Sequence, residues 1–292
     1  MKTNHHQLCT ALFAVTILAL LSSAPTHANT VYVSCVGAGN KIYKFDSNGN
    51  MFTFASGLNY TSGLALDSSG NLYAAHYFHG TIEKFDSSGN GIIFASGLGT
   101  PYGLAFDKND NLYASNYSGG TVEKIDSSGN WFAFASGLNG PEGLAFDSSG
   151  YLYVANRMTG IIEKFDSSGN GSLFAYSGLA NLGGLAFDSS GNLYASNSVY
   201  LHGLIAKFDP RGNMSIFASG LVYPVGLAFD SDGYLYVANC VSGGTIEKFD
   251  SSGNRSIFAL GLDAPAWIAV PEPATILLVG LGGLSLLRKR RE

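Results

Sequence analysis

The sequence predicts an all-β fold: a six-bladed β-propeller with four antiparallel strands in each blade. Three observations predict it. A unit of 40–42 residues repeats along the chain. Each unit holds four short apolar runs cut by turn signals, the pattern of a propeller blade. The two ends of the array together supply one further unit. Composition agrees. Of 292 residues 38 are glycine, aromatics reach 13% and charged residues only 13%. So many apolar and so few charged residues exclude a disordered chain. A net charge of -5 argues against a nucleic-acid partner. Three cysteines exclude a dense disulfide scaffold and a multi-cysteine zinc module.

Residues 1–28 read as a signal peptide: Lys2, an apolar stretch from Leu8 to Leu21, then Thr26-His27-Ala28 with small residues where a signal peptidase cuts. Residues 29–270 are the propeller. Three strands without an inner partner come first, at Val31–Ser34, Lys41–Phe45 and Met51–Ala55. Five full units follow, with "GLAFD"-type segments starting at Gly63, Gly103, Gly143, Gly184 and Gly226. A second segment, "TIEKFDSSGN" at Thr81, returns at Thr121, Ile161, Leu204 and Thr245. One strand, residues 267–270, lies 41 positions after Gly226 and aligns with "GLAF". Pairing it with residues 31–34 completes a sixth blade and leaves no open sheet edge between first and last units. In the strings Asp-Ser-Ser-Gly-Asn, the aspartate accepts backbone amides and the glycine takes the left-handed conformation of a tight turn. Asp110 replaces that glycine once. The Glu–Lys pairs at 83–84, 123–124, 163–164 and 247–248 read as solvated sheet surface, and Phe94, Phe134, Phe174, Phe217 and Phe258 as blade-to-blade core.

Residues 271–292 are a third element. Pro271-Glu272-Pro273 precedes fourteen mostly apolar residues and the basic run Arg288-Lys289-Arg290-Arg291. Fourteen helical residues reach about 21 Å, short of a ~30 Å hydrocarbon core. This pattern resembles the PEP-CTERM sorting signal of Gram-negative bacteria. The resemblance implies export, a tail that holds the protein transiently to the membrane, processing by an exosortase, and residence in the envelope or extracellular matrix. Without both ends the body carries a charge near -8. The repeats, with "GLAFD-x-x-G-x-LYVAN" and "GTIEKFD", resemble NHL and streptogramin-lyase-like propellers. That resemblance speaks to architecture; such folds serve as enzymes, binding surfaces and scaffolds.

Strand direction puts every Asp-x-x-Gly turn on one face. The loops on the other face vary between units, and variable loops on a rigid frame are where a ligand is expected. Candidate residues there are Tyr60, His76, Tyr102, Asn116, Glu142, Asn156, Arg157, Asn197, His202, Tyr223 and Asn239. Cys35, His76 and the four asparagines fall at equivalent strand ends. Four asparagines with Glu142 resemble, incompletely, the metal site of gluconolactonase-like propellers; a lone aspartate to complete it is missing. Capping of strand-end backbone is the other role open to them. Cys35 and Cys240 belong to neighbouring blades and could form a disulfide in an exported protein. The first expectation is a binding or scaffold module, with an exopolysaccharide or an envelope protein as ligand and no cofactor. The alternative is a metal-dependent lactonase or a lyase, with a divalent ion at the channel mouth. A surface protein without ligand is the third.

Overall fold

In the computed structural model, residues 30–37 and 39–271 are described; the expected signal peptide and the tail beyond Pro271 lie outside them. Every element among the described residues is a strand. The first three are β1 (Val31–Cys35), β2 (Lys41–Phe45) and β3 (Met51–Ala55). Blade 2 is β4 (Thr61–Leu66), β5 (Leu72–His76), β6 (Thr81–Phe85) and β7 (Gly91–Ala95). Blade 3 is β8 (Pro101–Phe106), β9 (Leu112–Asn116), β10 (Thr121–Ile125) and β11 (Trp131–Ser136). Blade 4 is β12 (Pro141–Phe146), β13 (Leu152–Asn156), β14 (Ile161–Phe165) and β15 (Gly171–Tyr176). Blade 5 is β16 (Leu182–Phe187), β17 (Leu193–Asn197), β18 (Gly203–Phe208) and β19 (Met214–Leu221). Blade 6 is β20 (Pro224–Phe229), β21 (Leu235–Asn239), β22 (Ser242–Phe249) and β23 (Arg255–Asp263). The last strand, β24 (Pro265–Ala269), pairs antiparallel with β1, Val33 opposite Ile268, and completes blade 1 in the order β24-β1-β2-β3. The predicted architecture and its closure are both present.

The inner strands touch in sequence around the axis, and β24 touches β4, so the ring is shut. Each begins two residues earlier than the apolar run suggests. Pro101 pairs with Asn116, then a bulge intervenes before Leu104 pairs with Ala114, and the other blades repeat this. The glycine inside that bulge is required. A Cβ on Gly103 would fall 2.1 Å from the Glu142 carbonyl oxygen, and one on Gly63 2.2 Å from that of Tyr102. The bare backbone lets adjacent inner strands meet around the axis.

Between blades the core is aromatic. Tyr73 packs edge-on against Phe94 of its own blade at 5.0 Å and Phe106 of the next at 4.9 Å. Tyr113, Tyr153 and Tyr194 repeat this pairing. Such edge-to-face pairs add ~0.5–1.5 kcal/mol each beyond the area they bury. The fourth-strand phenylalanines also cross blade boundaries as expected: Phe134 lies 6.3 Å from Phe165 and Phe217 5.9 Å from Phe249.

The Asp-x-x-Gly turns are built as read. Asp86 Oδ1 accepts the amides of Ser88 (2.9 Å) and Asn90 (3.0 Å), and Asn90 Nδ2 donates to Asp86 Oδ2 (2.9 Å). Asp110 adopts φ 58° where the other turns carry glycine. The Glu–Lys pairs differ from expectation. Neighbouring residues on a strand point to opposite faces, so the two columns separate. The lysines reach back over a tyrosine ring to the inner-turn aspartates, as Lys84 does over Tyr73 (5.1 Å) to Asp67 (3.5 Å) and Lys248 over Tyr236 (4.8 Å) to Asp230 (3.2 Å). The glutamates turn toward the strand-two ends, and Glu123 is buried.

Candidate functional site

The loops opposite the turns converge on the axis, and their side chains form a mouth. Six aromatic rings join there. Tyr60 meets Phe78 (4.9 Å) and Tyr77 (5.8 Å); Tyr77 meets Tyr102 (5.8 Å); Tyr102 meets Tyr117 (5.9 Å) and Trp267 (5.9 Å). They come from blades 1, 2 and 3. Two tyrosines are aimed by strained backbone: Tyr60 has φ 48° and Tyr223 φ 54°. A left-handed non-glycine residue costs on the order of 1–3 kcal/mol and persists where its surroundings dictate it, often at a site.

Beside the rings lies a buried ion pair. Glu142 stands on β12 beside the bulge glycine, with its side chain 1% exposed. Arg157, from the β13–β14 loop, donates through Nη1 to Glu142 Oε2 at 2.7 Å. Its Nη2 donates to the Tyr223 hydroxyl at 3.1 Å, linking blade 4 to blade 6. Burial pushes the Glu142 carboxyl up, against the pull of Arg157 and of the Tyr102 hydroxyl. Burial also draws Arg157 down, and Glu142 more than reverses this. Burial, with Glu142 and Tyr60 nearby, pushes Tyr102 well up. The Tyr102 hydroxyl is close to Glu142, yet Glu142 Oε1 completes no hydrogen bond, and neither does the indole Nε1 of Trp267. Both atoms are buried.

Trp267 is the residue that sequence reasoning passed over. It occupies in β24 the position held by Gly63, Gly103, Gly143, Gly184 and Gly226 in the other inner strands. It is 5% exposed, packed in one cluster with Val225, Ala266 and Tyr102, and it floors the mouth. Its signal was in the sequence: one large aromatic at a position where five copies have no side chain.

Of the other candidates, Tyr60, Tyr102, Glu142, Arg157 and Tyr223 come together at the mouth. The strand-end residues are engaged elsewhere. Asn116 Oδ1 accepts from the Thr100 amide (3.0 Å), and Asn156 Oδ1 from the Asn139 amide (2.9 Å). Asn156 Nδ2 donates to Glu163 (2.8 Å), Asn197 to the Ala180 carbonyl, and Asn239 to Thr245 (2.9 Å). His76 is buried, with its ring nitrogens against Glu83 Oε2 (2.9 Å) and Thr61 Oγ1 (3.4 Å). His202 is exposed on the β17–β18 loop. The contacts to Thr100, Asn139 and Ala180 hold inter-blade loops in place, and the others join strands of one blade.

The residues present do not fit a divalent ion. Such a site needs several free oxygen or imidazole donors. The Glu142 carboxylate already faces a guanidinium, and the Asn116 and Asn156 oxygens are taken by backbone amides. Among the described residues no three His, Cys, Asp or Glu side chains gather into a ligand set. Cys35 and Cys240 are free thiols near one another at the seam of blades 1 and 6. Burial, with Cys240 beside it, pushes the Cys35 thiol up to about 12, and burial with Glu142 pushes Cys240 up to about 11. A cleft of about 410 Å³ opens on the turn face between blades 5 and 6, lined in part by Asp188, Asp230, Asp232 and Asp250.

Comparison with known proteins agrees with the architecture. A family model described as the PEP-CTERM protein-sorting motif matches residues 269–291. The fold is similar to a chain of a nidogen–laminin complex (TM-score 0.72, 19% identity, 82% of this chain and 98% of that one). It is similar to a gluconolactonase from Xanthomonas campestris (TM-score 0.64, 15% identity, 82% and 87%). A third likeness is to a streptogramin B lyase (TM-score 0.58, 14% identity, 84% and 75%). At these identities the likeness concerns the fold alone. No curated protein matches the sequence. The motif implies export, exosortase processing, sorting to the cell envelope and a membrane-held tail. Among the described residues no helix is long and apolar enough to cross a membrane. The chain is an exported six-bladed β-propeller that carries a PEP-CTERM sorting motif.

Proposed function

We propose that the protein is a non-enzymatic binding module of the cell envelope of a Gram-negative bacterium, and that its mouth binds glycan, such as a segment of exopolysaccharide. One observation carries this function: a joined platform of tyrosine rings beside an arginine that bonds a further tyrosine hydroxyl. Sugar rings present C–H faces that pack on aromatic rings and hydroxyls that both donate and accept. A body near -8 favours neutral glycans over polyanions. Of the groups that could act as the general base of a lactonase or lyase, Glu142 faces Arg157, and His76 is buried with one ring nitrogen against Glu83 and the other against Thr61.

A protein ligand is the second reading. Phe78, Met158, Tyr200 and Leu201 stand 59–70% exposed around the same face, and large exposed apolar groups commonly mark protein contacts. One similar propeller comes from a nidogen–laminin complex. Calorimetric titration with oligosaccharides cut from the host exopolysaccharide separates the two. Saturable binding that Tyr117→Ala weakens tenfold or more supports glycan. Absence of any oligosaccharide binding, with retention of an envelope protein that Phe78→Ser abolishes, supports the second reading.

A further inference from the structure

The direction of the closing strand sets how the tethered protein stands on its membrane. All six inner strands run the same way, from the mouth to the turn face. β4 starts after Tyr60 at the mouth and ends at Asp67 in a turn; β20 starts after Tyr223 and ends at Asp230. β24 does likewise, leaving the mouth at Ala264 and finishing at Ala269. It is also innermost in its blade, since its one sheet partner is β1. The chain therefore leaves the propeller at the axis, on the turn face. The sorting motif begins at residue 269, and the apolar stretch begins at Ala274. Only residues 270–273 lie between. Four extended residues span at most about 14 Å. The mouth is farther away: an inner strand of six residues is about 20 Å long.

We propose that, while the tail is held in the bilayer, the turn face lies against the lipid surface and the mouth points away from it, at the far end of the axis. A tether at a rim would allow either face to turn toward the lipid; one at the axis, shorter than the propeller is tall, does not. The turn face brings little attraction of its own for anionic headgroups. Asp46, Asp86, Asp126, Asp166, Asp209 and Asp250 stand at its outer turns, and their hydrogen-bonded asparagine partners hold them below the ordinary carboxylate range, so they stay charged. Orientation comes from the tether, and cutting it frees the propeller. The surface so assigned is a lipid-facing one, and it is independent of what the mouth binds.

The test uses the full chain in phosphatidylethanolamine–phosphatidylglycerol vesicles, with its three cysteines changed to alanine and one fluorophore per variant. Ser127→Cys and Ser167→Cys place it on the turn face; Ser118→Cys and Ser242→Cys place it on the mouth face. All four positions are exposed. Quenching by a headgroup-bound quencher is expected to be at least twofold greater at the first pair. Equal quenching, or the reverse order, overturns the proposal. Twenty Gly/Ser residues inserted after Pro271 are expected to abolish the difference. A difference that survives the insertion overturns the tether as its cause, and would mean that the face adheres through exposed rim residues such as Phe52, Ile93 and Phe132.

Discussion

Removing the guanidinium of Arg157 is the sharpest perturbation of the mouth. The Glu142 side chain is 1% exposed, its Oε2 is bonded to Arg157, and its Oε1 has no hydrogen-bond partner. Arg157→Ala therefore leaves a carboxylate without its counter-charge in a buried place, with only the Tyr102 hydroxyl nearby. Breaking one side of a buried pair costs about 3–5 kcal/mol. For a domain of this size each kcal/mol lowers Tm by roughly 2–4 °C, so a fall of roughly 6–20 °C is expected. The loss also depends on pH. Burial already raises Glu142, and without Arg157 it rises further. A carboxyl whose folded pKa exceeds the unfolded value, about 4.3, favours folding at low pH and loses that contribution as pH rises through the folded pKa. The deficit of the variant is thus smallest near pH 4–5 and grows toward pH 8. Urea unfolding followed by circular dichroism across this range reads it directly. Adding Glu142→Gln to Arg157→Ala is expected to recover much of the stability at pH 8. A deficit below about 1 kcal/mol, or one that does not change with pH, would refute the buried-pair reasoning.

Further outcomes follow from other parts of the ring. Gly103→Ala drives a methyl against the Glu142 carbonyl oxygen at 2.1 Å and is expected to cost more than Gly150→Ala. The latter meets nothing within 4 Å and bears only the strain of φ 87°, on the order of 1 kcal/mol. Trp267→Ala empties the floor of the mouth and is expected to cost about 3–5 kcal/mol in denaturant unfolding. The six outer-turn aspartates are all held below their ordinary value by asparagine side chains and turn amides. Their contribution is complete above the unfolded carboxylate value, near pH 4, and is lost as pH falls below it; Asp86→Asn should flatten that acid limb slightly. Cys35 and Cys240, with thiols pushed up to about 12 and about 11, should resist alkylation at pH 7.5 in the native protein and react on unfolding.

The architecture was legible because each blade repeats its own punctuation. The turn at Asp86–Asn90 announces its geometry in five residues, and one strand after the last unit has a single place to go. Side-chain partnerships were less legible. Glu83 and Lys84 adjoin in sequence and so suggest a pair, yet strand alternation sends them to opposite faces, one to His76 and the other to Asp67. Asn116 and Asn156 read as a ring of donors because they are equivalent, while their oxygens serve the backbone of the loops before β8 and β12. The contact between Arg157 and Tyr223 joins residues 66 apart across the axis, and no local pattern encodes it. Tyr102 and Glu142 were legible as mouth residues because they fall between repeat units on the face opposite the turns, although the structure places them on β8 and β12 and not in loops. Trp267 was legible only by aligning the closing strand with the other five and asking what replaces glycine.

The chain has two tryptophans, Trp131 on an outer strand and Trp267 beneath the mouth. Trp131→Phe therefore leaves one reporter in contact with Tyr102, at 5.9 Å. Titrating this variant with oligosaccharides from the host exopolysaccharide measures occupancy of the mouth directly. The expected result is a saturable change in Trp267 emission that Tyr117→Ala shifts to at least tenfold higher concentration. Calorimetric binding with unchanged Trp267 emission would place the ligand elsewhere and contradict the assignment of the mouth as the binding site.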